Sequence, residues 1–207
     1  MLSLICFLPV ASAQHDLAPL RQALAKQSGH KTVSVKLRQE RRLPSLTEPI
    51  KNTGHLWLVP GKAFRWQLGE PPAQSAIYDG KSVYILDEKK KSAVRHDADS
   101  RKVKPLLLTL GIGEDASFEG LMKAFTVSGV TQKNDRYVAV LVPKKGKLKR
   151  VMQHMTLQVN LKTSFMERIS WAQKDGTVVT TEFFPPVINQ AIPSSRFTFD
   201  TKAYTWE

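Results

Sequence analysis

Cysteine is almost absent from this chain of 207 residues, whose only example is Cys6. A disulfide scaffold is therefore excluded. Acidic residues are also scarce: 18 Asp and Glu stand against 31 Lys and Arg, which gives a formal net charge of +13. Beyond the first residues no run approaches the roughly 18 apolar residues of a membrane-spanning helix. With 42% hydrophobic residues, a chain of this length can bury the core of one globular domain without a metal or disulfide.

The leading segment has the pattern of a secretory signal. Residues 1–10 form an apolar run, and Ala11-Ser12-Ala13 provides the small-x-small sequence that signal peptidase cleaves. We predict a signal peptide over residues 1–13, truncated at its basic n-region because the true start codon lies upstream. A single domain over residues 14–207 follows, and its expected location is the periplasm.

Cys6 lies inside the predicted signal peptide. Leu4 and Ile5 precede it, where a lipoprotein cleavage site needs a small residue just before its cysteine. The exported protein would then contain no cysteine, which excludes thiol catalysis.

Residue patterns of enzymes are not found in this sequence. The five histidines are far apart and never adopt a two-histidine metal spacing, and the carboxylates are too scattered to identify a glycosidase pair. Neither a Gly-x-Ser-x-Gly elbow nor a phosphate-binding loop occurs. The sequence therefore predicts a protein that is not an enzyme and needs no cofactor and no metal.

The excess positive charge predicts an anionic partner. It is concentrated in three groups, for which solvated hairpin tips are the simpler interpretation: Arg38, Arg41 and Arg42; Lys89, Lys90 and Lys91; and Lys144, Lys145, Lys147, Lys149 and Arg150. Nucleic acid is not expected as a partner because the chain carries an export signal. An acidic protein or an anionic lipid surface fits the compartment better.

The hydrophobic period predicts a mainly β (α+β) fold. Apolar residues at helical spacing predict a helix from Asp16 to Gly29, and the alternating residues 32–39 predict a strand. Short alternating runs separated by turn residues predict further strands at 55–59, 63–68, 75–78, 82–86, 92–96, 127–132, 136–142, 155–161, 165–172 and 177–184, with a last short strand at Phe197 and Phe199. An antiparallel sheet of about twelve strands must curl, because strand twist accumulates across it.

Two further helices are predicted between residues 99 and 125. Leu106, Leu107, Leu108 and Leu110 form one apolar run, and Phe118, Leu121, Met122 and Phe125 form another with Ser117 as N-cap. Gly111 and Gly113 separate the two. Helices laid over the concave face of a curled sheet could leave an apolar cavity between the layers.

One block of sequence resembles the LolA family of outer-membrane lipoprotein carriers. It begins Gly54-His55-Leu56-Trp57-Leu58, continues through Pro60-Gly61-Lys62-Ala63-Phe64-Arg65-Trp66 and a proline at 71 or 72, and ends with Ile77-Tyr78-Asp79-Gly80-Lys81-Ser82-Val83-Tyr84. Leu37-x-Gln39 earlier and Asn189 followed by Ile192, Phe197 and Phe199 later agree in order with the family.

The resemblance implies an incomplete β-barrel with a lid of about three short helices over an apolar cavity. In the family this cavity shields the acyl chains of lipoproteins between an inner-membrane release complex and an outer-membrane acceptor, and the carrier acts as a monomer. The expected cavity residues come from strand faces and helix stripes: Leu17, Leu20, Leu24, Leu56, Leu58, Phe64, Trp66, Leu68, Ile77, Leu107, Phe118, Leu121, Met122 and Phe125.

Two departures leave the cargo open. Pro60 and Gly61 stand where the family commonly has the Arg-Pro pair whose arginine latches the lid, so we expect a looser lid, with Arg65 as the nearest replacement. Residues 43–50 stand where the usual carriers have a glycine-rich hairpin. A divergent branch that binds a glycolipid or polyene lipid is the alternative, and a secreted enzyme on a curled sheet is a third.

Overall fold

The computed structural model describes residues 15–100, 103, 107, 117–144 and 146–207. The helices are α1 (Ala18–Ser28), α2 (Phe118–Ala124) and α3 (Gly146–Val151), with short 3-10 helices at Ser194–Phe197 and Thr201–Ala203. The strands are β1 (Val33–Arg42), β2 (Ile50–Val59), β3 (Ala63–Leu68), β4 (Gln74–Tyr78), β5 (Ser82–Asp87), β6 (Ser92–Asp97), β7 (Phe125–Lys133), β8 (Arg136–Pro143), β9 (Met152–Asn160), β10 (Phe165–Gln173), β11 (Val178–Phe183), β12 (Val187–Ile188) and β13 (Thr205–Trp206).

All of these strands belong to one open, curved sheet. Its order is β13-β6-β5-β4-β3-β2-β1-β11-β10-β9-β8-β7, and β12 pairs with β1 beyond the end of β11. The described pairs are antiparallel except for β13 with β6. The long-range pairing of β1 with β11, from Leu37 opposite Phe183 to Arg42 opposite Val178, joins the β1–β6 half to the β7–β11 half.

Each half of the sheet has its own core on the inner face. In the β7–β11 half, α1 and α2 cover the sheet, with Leu20, Leu121 and Phe125 fully buried. In the β1–β6 half, the inner core runs from Val33, Val35 and Leu37 to Phe64 and Trp66, and it includes Val103 and Leu107 from the middle of the chain. Phe183 packs against both cores.

Exposed side chains of the two helices over the β7–β11 half contact each other. Arg21 of α1 forms an ion pair with Glu119 of α2, and its guanidinium lies 4.1 Å from the centre of the Phe118 ring. The Ser117 hydroxyl accepts a hydrogen bond from the Gly120 amide, which confirms the predicted N-cap.

The chain after β12 returns across the outer face of the β1–β6 half as a strap, residues 193–207. Its aromatic residues Phe199 and Tyr204 pack on a third cluster built from Ile77, Leu86 and Ala93. The Tyr204 hydroxyl donates to Glu88 at 2.5 Å, and Arg65 donates to the Thr198 carbonyl at 3.2 Å. The strap thereby buries an apolar patch that an open sheet would otherwise expose.

The predicted elements agree with most of this fold. The predicted curved antiparallel sheet and the first helix are confirmed, and the strand at 63–68 has the expected bounds. The predicted strand at Phe197 and Phe199 is wrong: Phe197 ends a 3-10 helix, because Pro193 and the two serines after it begin a turn rather than a ladder. Lys147, Lys149 and Arg150 lie in the short helix α3, which connects the antiparallel strands β8 and β9.

Some predictions fall on residues outside the described part of the chain. These are the signal peptide over residues 1–13, Lys145, and all of the Leu106 to Leu110 run except Leu107, whose amide donates to the carbonyl of Val103 at 3.0 Å. Among the helices that the structure describes, none has the length and apolar character needed to cross a bilayer.

The tyrosines provide a test of this packing. Burial, the hydrogen bond to Glu88 and the charge of Glu88 together raise the pKa of Tyr204 to about 12, and burial and the nearby Asp16 raise the pKa of Tyr137 to about 12. Burial also raises the pKa of Tyr78 and of Tyr84. A tyrosine whose pKa is raised by folding stabilises the folded protein. This stabilisation is fully present below the pKa of the unfolded chain, near 10, and is lost as the pH rises through the pKa of the folded protein.

In an alkaline titration we therefore expect the tyrosinate absorbance of the native protein to rise at a higher pH than that of the unfolded protein, with ionisation of Tyr137 and Tyr204 accompanied by unfolding. The same titration in concentrated guanidinium should have its midpoint near pH 10. A native midpoint at the unfolded value would contradict the packing described for all four tyrosines.

Candidate functional site: a cleft where the sheet opens

A cleft of about 610 Å³ lies at the seam between the two halves of the sheet. Its volume is within the range typical of small-molecule sites. The apolar side chains that line it come from both halves and from the segment after β11: Val33, Val35, Leu56, Leu58, Phe165, Met166, Ile169, Phe183, Phe184, Pro185, Pro186 and Ile188.

The cleft exists because two neighbouring strands separate. Pro185 and Pro186 have no amide hydrogen to donate, so β11 cannot continue along β1. Leu37 pairs with Phe183, and three residues earlier in β1 Ser34 pairs with Val187, which is four residues later than Phe183. The register therefore shifts by one residue between these two pairs. On the other side of the gap, the first residues of β10 pair only with β9, because β11 joins β10 no earlier than Arg168.

The walls of the cleft are parts of the two cores. Val33, Val35, Leu56 and Leu58 are buried members of the core in the β1–β6 half, and Met166 and Ile169 are buried members of the core in the β7–β11 half. A ligand between these walls would contact side chains that are already held by packing. The site is therefore preorganised for an apolar group rather than for a charged one.

The rim of the cleft is polar, and its carboxylates are neutralised. Glu167 accepts hydrogen bonds from Asn160 at 2.8 Å and Gln158 at 3.1 Å and forms an ion pair with Arg136 at 3.4 Å. Burial opposes ionisation, but these contacts outweigh it and lower the pKa of Glu167.

The second rim carboxylate, Glu182, lies between two arginines. Its hydrogen bond with Arg38 and its ion pair with Arg168 lower its pKa. Lys26, at the end of α1, donates to the carbonyl of Thr163 at 2.9 Å and connects the helix to the far wall. At neutral pH both acids are ionised and paired with arginines, which makes them weak proton acceptors.

The structure divides the fourteen residues expected from the sequence among several places. Leu56 and Leu58 line the cleft. Phe64, Trp66, Leu68 and Leu107 lie behind it on the inner face of the same half, where Trp66 makes an edge contact with Phe183 at 5.8 Å between ring centres. The helix residues and the first residue of β7 lie in the core of the other half: Leu17, Leu20, Leu24, Phe118, Leu121, Met122 and Phe125.

Ile77 is the exception, because it lies on the outer face. It is opposite Arg65, whereas Tyr78 is opposite Phe64, so the inner position belongs to Tyr78. Ile77 is fully buried there under the strap and does not line the cleft.

Arg65 also faces outward, as its alternation with Phe64 and Trp66 predicts. It lies 3.8 Å from Glu88 and donates to carbonyls of the strap. Burial is the main cause that lowers its pKa. Arg65 thus holds the C-terminal strap, and in the described residues it makes no contact with a helix over the inner face.

Sequence reasoning missed most of the cleft lining. Val33 and Val35 were expected only as the buried side of a strand, and residues 165–169 and 183–188 were not expected at the site. The available signal was the apolar run from Phe183 to Ile188 interrupted by two prolines, a combination that a regular strand does not tolerate.

One pair on the outer face has the composition of a catalytic dyad. The Ser34 hydroxyl lies 2.7 Å from Nε2 of His55. Within the described residues no carboxylate hydrogen bonds to His55. Instead its ring stacks on Trp57 at 4.0 Å, and burial, with Arg196 and Lys36 nearby, lowers its pKa. The orienting acid of a triad is missing, and the described residues contain no group of three potential metal ligands.

Comparison with known proteins identifies the same family as the sequence pattern. The family model described as outer membrane lipoprotein carrier protein LolA matches residues 28–200. An outer-membrane lipoprotein carrier protein of Chromohalobacter salexigens is 28% identical over 149 residues, covering 71% of this chain and 66% of that protein, a little under two thirds of its length.

Two solved structures are similar to this chain at low sequence identity. An uncharacterised conserved protein of Thermus thermophilus has a TM-score of 0.52 at 9% identity, covering 90% of this chain and 98% of that one. A LolA superfamily protein of Nitrosomonas europaea has a TM-score of 0.43 at 9% identity, covering 87% and 98%. With the family model matching most of its length, this chain belongs to the LolA family of outer-membrane lipoprotein carrier proteins.

Proposed function

We propose that this protein is a periplasmic, non-enzymatic carrier that holds the acyl chains of a lipoprotein in the cleft at the seam of the sheet. The cargo would be received from an inner-membrane release complex and delivered to an outer-membrane acceptor. The observation that carries the proposal is the apolar lining of a preformed cleft whose rim acids are already paired.

The energetics of acyl transfer favour such a site. Each methylene group removed from water gains about 0.8 kcal/mol, so a chain of ordinary length binds through area alone and needs no reactive group. An open cleft also permits release, because the ligand can leave sideways through the mouth without unfolding of either core.

A second candidate ligand is a glycolipid or polyene lipid, and the polar rim favours it. Gln158, Asn160 and Arg168 provide hydrogen-bond donors at the opening, where a sugar or phosphate headgroup could be recognised. The mass of a lipid that purifies with the protein would distinguish this cargo from a lipoprotein.

Trp66 should report cleft occupancy by fluorescence. In a variant that keeps only this tryptophan, with Trp57, Trp171 and Trp206 replaced by phenylalanine, added acyl lipid should shift or enhance the emission. The reason is that Trp66 packs edge-on against Phe183, which lines the cleft.

The control is a variant that keeps only Trp57, which stacks with His55 on the outer face and should not respond. Equal responses from the two variants, or none from Trp66 at lipid concentrations that saturate binding in an independent assay, would contradict the placement of the ligand.

A further inference from the structure

The mouth of the cleft carries an exposed apolar lip, which we define as residues 184–188. Within it Phe184 is 48% exposed, Val187 46% and Ile188 43%, and two prolines stand between Phe184 and Val187. Val187 and Ile188 form the short strand β12, which pairs with β1. None of the three side chains belongs to a core cluster of the described residues. A cluster of this kind at a binding site usually marks a contact surface.

Three lysines belong to segments that contact the lip, the residue after it or the cleft beside it. The carbonyl of Lys36 accepts from the Phe184 amide at 3.0 Å, the amide of Lys31 donates to the Asn189 side chain at 2.8 Å, and Lys26 lines the same cleft as Phe184 and Ile188. All three side chains are exposed. In the part of the chain that the structure describes, none of them forms an ion pair with a carboxylate, while both acids of the cleft rim are paired with arginines.

From this arrangement we infer that the lip is a membrane-docking surface, at which Phe184, Val187 and Ile188 enter the interface of an anionic phospholipid bilayer and Lys26, Lys31 and Lys36 bind its headgroups. Apolar side chains near lysines that have no carboxylate partner in the described residues are the combination that interfacial binding requires. This inference rests on the proposed function, in which the docked mouth would face the bilayer that holds the release complex or the acceptor.

The geometry makes the docking weak and reversible. Only a few apolar side chains are available for insertion, and each lysine near an anionic surface contributes about a five-fold gain in affinity. Salt should therefore release the protein, because the Debye length falls from about 10 Å at 0.1 M to about 3 Å at 1 M.

Flotation of the mature chain with vesicles tests the inference. Vesicles rich in phosphatidylglycerol should bind the protein at low salt, and vesicles of phosphatidylcholine alone should bind it far less. A variant with Val187→Ser, Lys31→Gln and Lys36→Gln should lose at least about 25-fold in affinity for the anionic vesicles. None of these three residues lines the cleft, so uptake of a monomeric fluorescent fatty acid should be unchanged.

The matched control variant is Leu46→Ser, Lys89→Gln and Lys90→Gln, which removes an equally exposed apolar residue and two lysines outside the lip. It should bind the anionic vesicles as the unmodified protein does. Failure of the unmodified protein to bind them, or equal losses in the two variants, would overturn the docking inference while fatty-acid uptake remains intact. If the unmodified protein did not take up fatty acid at all, the proposed function would be overturned instead.

Discussion

Replacing Gly54 with alanine is expected to destabilise the protein by about 3 kcal/mol or more. A Cβ at this position would lie 2.1 Å from the carbonyl oxygen of Gln67 and 3.1 Å from Cδ1 of Leu37. The first contact is with backbone, which cannot move without separating β2 from β3. Gly54 lies between Leu37 and Leu68 in neighbouring strands, so the damage would reach the central part of the sheet.

Gly129→Ala provides the control in the same sheet. A Cβ there meets nothing within 4 Å, and the residue needs no positive φ. Its unfolding midpoint in urea should stay within experimental error of the unmodified protein or rise slightly, because alanine reduces the freedom of the unfolded chain. Equal midpoints for the two variants would show that β2 and β3 do not approach as closely at Gly54 as described.

Placing a charge in the cleft should abolish acyl-chain binding. Phe165 is partly exposed and lines the opening at the start of β10, so the Phe165→Asp variant can fold with its carboxylate in water. A bound acyl chain would have to strip that water away without providing a partner for the charge. We expect affinity for a fluorescent fatty acid to fall by about 100-fold or more.

Leu161→Asp is the matched control, since Leu161 is a partly buried residue of the same β9–β10 hairpin that packs on the core of the β7–β11 half and does not line the cleft. It should lower the unfolding midpoint by a comparable amount and leave fatty-acid affinity within about two-fold of the unmodified protein. Similar binding losses in both variants would mean that stability, not the cleft, governs the result.

Most strands could be predicted because they have one clearly buried side, whereas the short strands β12 and β13, exposed on both sides, were not. In β3, Phe64 and Trp66 alternate with Arg65 and Gln67, and the Asp79-Gly80 turn sets the next hairpin. Strand ends were predicted less well where both sides are exposed. Residues 50–53 of β2 are exposed or half-exposed on both faces, so they carry no alternation, and only pairing with β1 makes them strand.

The site was harder to predict, because it depends on long-range pairing. Alternation along one strand gives its two faces but does not say which face is inner, which is why Ile77 was grouped with Phe64 although it lies under the strap. The cleft itself forms because β11 pairs with β1 and with β10 over different lengths, and these pairings cannot be read from the sequence of any one strand. The two prolines after Phe184 were the only local signal of the gap.

The helices expected over a cavity illustrate the same limit. Their stripes correctly indicate buried faces, but Leu20, Leu24 and Leu121 fill the core of the β7–β11 half instead of bordering the cleft. Of the helices that the structure describes, only α1 reaches the opening, with Lys26 near its end and His30 just beyond it. An apolar stripe shows that a surface is covered, and it does not distinguish a ligand from another side chain.

Native mass spectrometry of the mature chain, mixed with a synthetic diacylated lipopeptide, tests the central claim most directly. The cleft account predicts a one-to-one adduct for the unmodified protein and for Leu161→Asp, and none for Phe165→Asp at the same concentration. An adduct of equal abundance in all three proteins, or no adduct in any of them, would contradict the assignment of the seam cleft as the acyl-chain site.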